Sequence, residues 1–249
     1  MTDARLNRTR RALAAWPSGG ARRRLRAAVA LGVALMVAGC DPSILMGQAP
    51  TSMAVADGAV VIAGPPGFCV DTNASHQGSK GAFVLLGSCA SITDGAQKSR
   101  PPIRAVLTAA VSEGAQGGSV AGSERQLTAF FQSAAGRAVL SRSGDSRTVK
   151  LLGISHYRGA MVLHIQDVAP FPGQAVQPDY WRALFDLDGH IVTLNVFGVP
   201  EVRFSADVGR AVLRVFITRV RAASAEAAAE AAKAQAGAKA GAKASATSG

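Results

Sequence analysis

Aromatic residues are scarce in this chain: nine Phe, two Trp and two Tyr among 249 residues. With so few stacking side chains, no platform for unpaired bases is evident. Histidine is nearly as rare, with four residues, and cysteine occurs three times. The patterns that concentrate chemistry in short motifs are missing as well. There is no G-x-S-x-G, H-E-x-x-H, phosphate-binding loop or dinucleotide-binding glycine pattern. The longest early apolar run, Ala27 to Gly39, has 13 residues. A helix that crosses a bilayer needs about 20, so a permanent membrane span is not expected there.

The sequence is strongly basic, with net charge +11, but the charge is unevenly placed. Eight Arg and one Asp precede Cys40, a local net of +7. Residues 41–221 hold 16 basic and 13 acidic side chains, a net of only +3. A domain so nearly balanced has no strong field to steer it toward phosphate, and no nucleic-acid partner is expected.

That basic leader has an ordered layout. Arg22, Arg23, Arg24 and Arg26 form a positive cluster, the apolar run follows, and Val37-Ala38-Gly39 puts small residues before Cys40. Charged, apolar and small-residue regions in that order make an export signal. Leu35, Ala38, Gly39 and Cys40 resemble the lipobox of bacterial lipoproteins. The resemblance implies cleavage before Cys40, acylation of its thiol, and attachment to a membrane at the periplasmic side. It also implies retention at the inner membrane, from Asp41, as in enteric lipoproteins; the outer membrane is the alternative. A secretory signal or signal anchor that happens to contain Cys is the plainer reading. Residues 1–39 are thus read as a signal peptide and 40–57, with Pro42, Gly47, Pro50 and Ser52, as a flexible linker. Residues 58–221 suffice for one ordinary core. The Ala/Lys/Gly-rich stretch 222–249 has no large apolar side chain and is expected to be a flexible tail, at most transiently helical near 226–235.

Within the domain, Cys69 and Cys89 form an even pair in a chain bound for an oxidising compartment, and are expected to form a disulfide. They flank a polar loop over 71–81, between strands 68–70 and 82–87. A metal site from Cys69, Cys89 and His76 is the alternative, without the usual ligand spacing. Further strands are expected at 59–62 and 103–111. Ser123 and Gln126 match a capping box ahead of an amphipathic helix over 124–141, with Leu127, Phe130, Phe131, Ala134 and Ala138 inward. Two hairpins follow, 149–157 with 160–168 about Arg158-Gly159, and 180–187 with 190–197 about Asp188-Gly189. Trp181, Phe185, Val192, Leu194 and Val196 should share one face. A last helix over 206–222, capped by Ser205, should bury Val208, Ala211, Val212, Val215 and Phe216 and keep Arg210, Arg214 and Arg221 in water.

The sum is an α+β fold, a mostly antiparallel sheet with two helices. This order of elements resembles the Mog1/PsbP-like fold, whose members include small bacterial envelope lipoproteins, and implies binding or assembly more readily than turnover. No catalytic residue, metal ligand or cofactor stands out. The expected partners are the membrane, through lipid on Cys40, and an envelope protein. The competing class is an exported enzyme or metal-binding protein built on His156, His164 and the acidic turn of Asp186 and Asp188. His156 should face Met161, and His164 should face Gly153.

Overall fold

The computed structural model describes residues 47–113, 119–169 and 176–246. Residues 1–39, read above as a signal peptide, lie outside the described residues, as do Cys40 and Asp41. One large sheet organises the domain. Its seven strands are β3 (Phe68–Gly78), β4 (Gly81–Ser88), β5 (Ala105–Glu113), β6 (Val149–Tyr157), β7 (Ala160–Asp167), β8 (Asp179–Leu187) and β9 (His190–Gly198). Their spatial order is β3-β4-β5-β9-β8-β7-β6, antiparallel throughout. A separate two-stranded hairpin, β1 (Ser52–Val55) with β2 (Val60–Ala63), precedes it. Among the described residues four α-helices accompany the sheet: α1 (Cys89–Ile92), α2 (Glu124–Gln132), α3 (Ala134–Leu140) and α4 (Ala206–Ala246). The α+β, antiparallel expectation holds, with more helices than the two foreseen.

Turn chemistry fixes the two long hairpins. Arg158 and Gly159 have φ of 51° and 74°, Asp188 and Gly189 47° and 78°; two successive positive φ values give the turn that matches strand twist. Side-chain parity then follows. Trp181, Phe185, Val192, Leu194 and Val196 point to one face, where they join Val84, Leu86 and Leu107 in the main core. Leu184, Ile191 and Phe197 point to the other, beside Met161, Leu163, Ile165 and Tyr180. Helix α4 and the β1–β2 hairpin cover the first face; α2 and α3 cover the β6–β7–β8 half of the second. All strands share two ends. The base holds the start of β3, β5 and β8 and the turn into α4; the top holds the Ser79-Lys80, Arg158-Gly159 and Asp188-Gly189 turns.

Five sequence expectations are corrected. First, order begins before residue 58: β1 lies inside the expected linker, and Val55 is fully buried because the hairpin packs under α4. Second, the polar stretch 71–81 is mostly strand, through a bulge between Asp71 and His76. There the side chains do the work of missing ladder partners. Asp71 Oδ1 accepts the N–H groups of Asn73 and Ala74 at 3.0 and 3.1 Å, and Ser75 Oγ accepts the Leu85 N–H at 3.0 Å.

Third, the helix over 124–141 breaks at Ser133, whose ψ is 165° and whose hydroxyl caps α3 through the Gly136 N–H. Ser123 makes no side-chain cap, and Phe130 and Ala134 are exposed. The break presses Gly136 onto α2, where an added Cβ would lie 1.9 Å from the Phe130 carbonyl oxygen; only glycine fits. Fourth, α4 is rotated from its expected face. Ser205 Oγ does cap it, accepting the Val208 N–H at 3.3 Å, but the buried stripe is Val212, Leu213, Phe216, Ile217 and Val220. Val208 and Val215 remain exposed. Gly209 lets the helix approach so closely that a Cβ there would meet the Trp181 ring at 2.6 Å, which sets the rotation. Arg221 consequently tucks its guanidinium 4.5 Å over the Phe185 ring instead of staying wet.

Fifth, the expected tail 222–249 continues α4 as far as Ala246. Ser224 is buried, and its hydroxyl accepts the Val61 N–H at 2.9 Å, closing the free edge of β2. A lone Ala-rich peptide must nucleate its own helix; this one extends a helix already docked through 206–221, so each added residue gains a bond without the nucleation cost. Past Ala227 the helix stands clear of the domain, its side chains exposed through Ala238. Among the described residues no helix is long and apolar enough to cross a membrane.

Candidate functional site: two clefts at the base

The residues with the most obvious chemistry do not meet. His156 faces Met161 and His164 faces Gly153, as the register required, and this sends them to opposite faces of the sheet. His156 lies 3.9 Å from Glu124 beside α2. His164 stacks on Trp181 at 4.2 Å on the α4 side. Burial lowers the His164 pKa; Asp179 opposes that and Arg210 adds to it. The Asp186 carboxylate is committed to the backbone, accepting the Val120 and Ala121 N–H groups at 3.0 and 3.1 Å. His190 Nδ1 lies 2.8 Å from the Asp188 carbonyl in the same turn. The enzyme alternative therefore loses the convergence it needed. The metal alternative loses its thiols, because Cys69 and Cys89 are joined with sulfurs 2.06 Å apart, while His76 stacks on Phe83. Among the described residues no group of three His, Cys, Asp or Glu side chains could hold a metal ion.

What the fold does build lies at the base. On the second face, a polar ladder runs across the middle of the sheet: Arg182 Nε donates to Asn195 Oδ1 at 2.7 Å, and Asn195 Nδ2 donates to Thr108 Oγ1 at 2.9 Å. On one side of it α2 and α3 cover the sheet. On the other, among the described residues only the four-residue α1 lies over the β3–β4–β5 half, and a cleft of about 1080 Å³ opens there. Leu85, Gly87 and Val106 form its floor. Helix α1 forms one wall, with Ile92 packed over Gly87, and the Asp71–Asn73 bulge another. Arg104, Pro200 and Glu201 close the third side.

The disulfide holds this cleft together. Helix α1 has four residues, too few to persist alone, and the Cys69–Cys89 bond ties it to β3. The entering chain is tied to the same wall: the Ala49 N–H donates to Gln97 Oε1 at 2.8 Å and the Val70 N–H to the Pro50 carbonyl at 2.7 Å. Its lining mixes polar side chains, such as Asp71, Thr72, Asn73 and Ser91, with the apolar floor, which suits an extended polar ligand or a protein segment better than a small apolar molecule.

A second depression, of about 680 Å³, lies across the 101–104 ridge on the α4 side. Its walls are almost wholly apolar: Pro65, Pro66, Pro101 and Pro102, with Ile103 and Phe204, and the exposed α4 residues Val208 and Val215. Its only charged lining residues are Arg104 and Arg203. Sequence reasoning missed both depressions. Pro65-Pro66 and Pro101-Pro102 break local structure, but nothing local shows that residues 65–66, 101–102 and 202–204 meet.

No family model matches the chain, and no curated protein or solved structure is significantly similar to it.

Proposed function

We propose that the chain is a bacterial lipoprotein, cleaved before Cys40 and acylated there, whose domain binds a protein or another envelope component at the membrane surface without turning it over. One observation carries this reading. The chain enters the domain at Gly47–Pro50, only seven residues beyond Cys40, and it does so at the base, where both clefts open. A lipid on Cys40 holds that end near the bilayer and raises its effective concentration toward other membrane-held molecules, so a weak interface suffices. Asp41 favours the inner membrane, periplasmic side. The Mog1/PsbP-like reading of the domain belongs to the same proposal: an antiparallel sheet with helices on both faces supports it, and that fold serves small envelope lipoproteins.

The open cleft is the partner surface. A photoreactive residue at Leu85 or Val106, in cells making the full-length protein, is expected to trap one discrete adduct. The same residue at Ser155, exposed on the opposite face, should trap none. Adducts equally abundant from Ser155, or none from either cleft position, would remove the cleft from the account.

A further inference from the structure

We propose that the apolar groove between α4 and the proline segments is a membrane-docking surface, which seats on an anionic phospholipid headgroup layer and so turns the open cleft away from the bilayer. The proposal rests on the anchoring of Cys40. Three observations point to that occupant. The first is reach: Gly47 is the seventh residue beyond Cys40, a span of at most about 25 Å, so the base cannot stand far from the surface that holds the lipid. Ile103 and Arg104 line both the cleft beside Gly47 and the groove, so the groove lies at that end.

The second is the kind of surface. Val202, Val208 and Val215 are exposed at 42%, 39% and 43%, and together with the exposed Pro66 and Pro102 they line this one groove. The third is charge. Arg104 and Arg203 flank this patch, both are exposed, and no acidic residue lines the groove. Among the described residues neither guanidinium makes a hydrogen bond or ion pair. The nearest acid on α4, Asp207, is taken by Arg210 at 2.6 Å; Glu201 lines the cleft on the other side of the ridge. Apolar tips flanked by free arginines match an interface whose outer layer is phosphate and whose inner layer is acyl chain. The geometry also agrees with the cleft: groove and cleft lie on opposite faces of the sheet, so seating one on lipid leaves the other open to a partner.

The test uses the full lipidated protein purified from membranes, carrying an environment-sensitive fluorophore on Val202→Cys, with Val215→Cys as a second position and Lys80→Cys, at the opposite end of the sheet, as reference. Reconstituted into vesicles containing phosphatidylglycerol, the labels at 202 and 215 should shift to the blue and be quenched by lipid-borne quenchers. The label at 80 should stay in water. In phosphatidylcholine vesicles all three should stay in water. Arg104→Gln with Arg203→Gln should lower the docked-to-free ratio by roughly 25-fold, about fivefold for each charge. Vesicles that float with the protein while labels 202 and 215 remain wet would overturn docking and leave the anchor standing. Shielding unchanged in phosphatidylcholine, or in the double arginine variant, would also overturn it, since the groove would then hold an acyl chain or another copy of this chain. Protein that fails to float with vesicles at all would overturn the anchor and docking together.

Discussion

Asp167→Ala is expected to remove about 3–5 kcal/mol of stability, the range for breaking a buried, hydrogen-bonded ion pair. Asp167 is wholly buried at the base end of β7. Its Oδ2 accepts the Arg142 N–H at 2.7 Å and the Arg142 Nε–H at 3.1 Å, and its Oδ1 accepts the Ala169 N–H at 2.9 Å. The Arg142 guanidinium also donates to the Asp167 carbonyl. This one carboxylate therefore pins the exit of α3 to the sheet. Removing it strands two backbone donors, each costing about 1–3 kcal/mol. Burial alone would raise the Asp167 pKa, but the donors from Arg142, Ala169 and Thr148 outweigh it and hold the carboxyl below its ordinary value of 3.8. A folded-state pKa below the unfolded one gives stability that is full above the unfolded value and is lost as pH falls through it toward the folded value. Urea unfolding of the mature protein should thus show stability falling as pH drops below about 4, with a smaller contribution to that fall in Asp167→Ala. Equal unfolding midpoints for the two proteins at pH 7 would show that the cluster is dispensable.

Loss of the Cys69–Cys89 bond is the second large effect. The bond closes a sequence separation of 20 residues, worth about 3 kcal/mol in the chain-entropy model. Its structural consequence is local as well. Without it α1 keeps no covalent tie to β3, and the wall of the open cleft is free to leave that strand. Cys69→Ser with Cys89→Ser should therefore lower the urea midpoint and also weaken the adduct formed from Leu85, whereas an exposed substitution such as Ser155→Ala should do neither. Thiol labelling of the denatured, unreduced protein should modify neither cysteine. Full labelling of both would show that the protein lacks the bond.

Much of the sheet was legible because its signals are local. Asp188-Gly189 dictates a tight turn, and alternation on either side of it assigns each side chain to a face, which also fixed that His156 and His164 oppose Met161 and Gly153. The failures share one cause: tertiary contacts supplied what the local sequence withheld. Residues 71–78 look too polar for a strand, yet Asp71 and Ser75 replace missing backbone partners with their own oxygens. Gly209 looks like a blemish in a helix, yet its close approach to Trp181 decides which face of α4 is buried. Ser224 looks like part of a featureless tail, yet it finishes the edge of β2. The clefts were least legible of all. Their walls come from segments far apart in the chain, and no single residue encodes that they meet.

The proposed reach of the domain, the orientation of its clefts and the docking all require a lipid at Cys40. Intact-mass analysis of the protein purified from cell membranes, with sequencing of its first tryptic peptide, addresses it directly. The expected result is a mature chain that starts at Cys40 and carries diacylglyceryl and fatty-acyl additions on that residue, with Cys40→Ser left unprocessed and unacylated. A mature chain that starts elsewhere, or a Cys40 bearing a free thiol in protein still exported and membrane-bound, would contradict it.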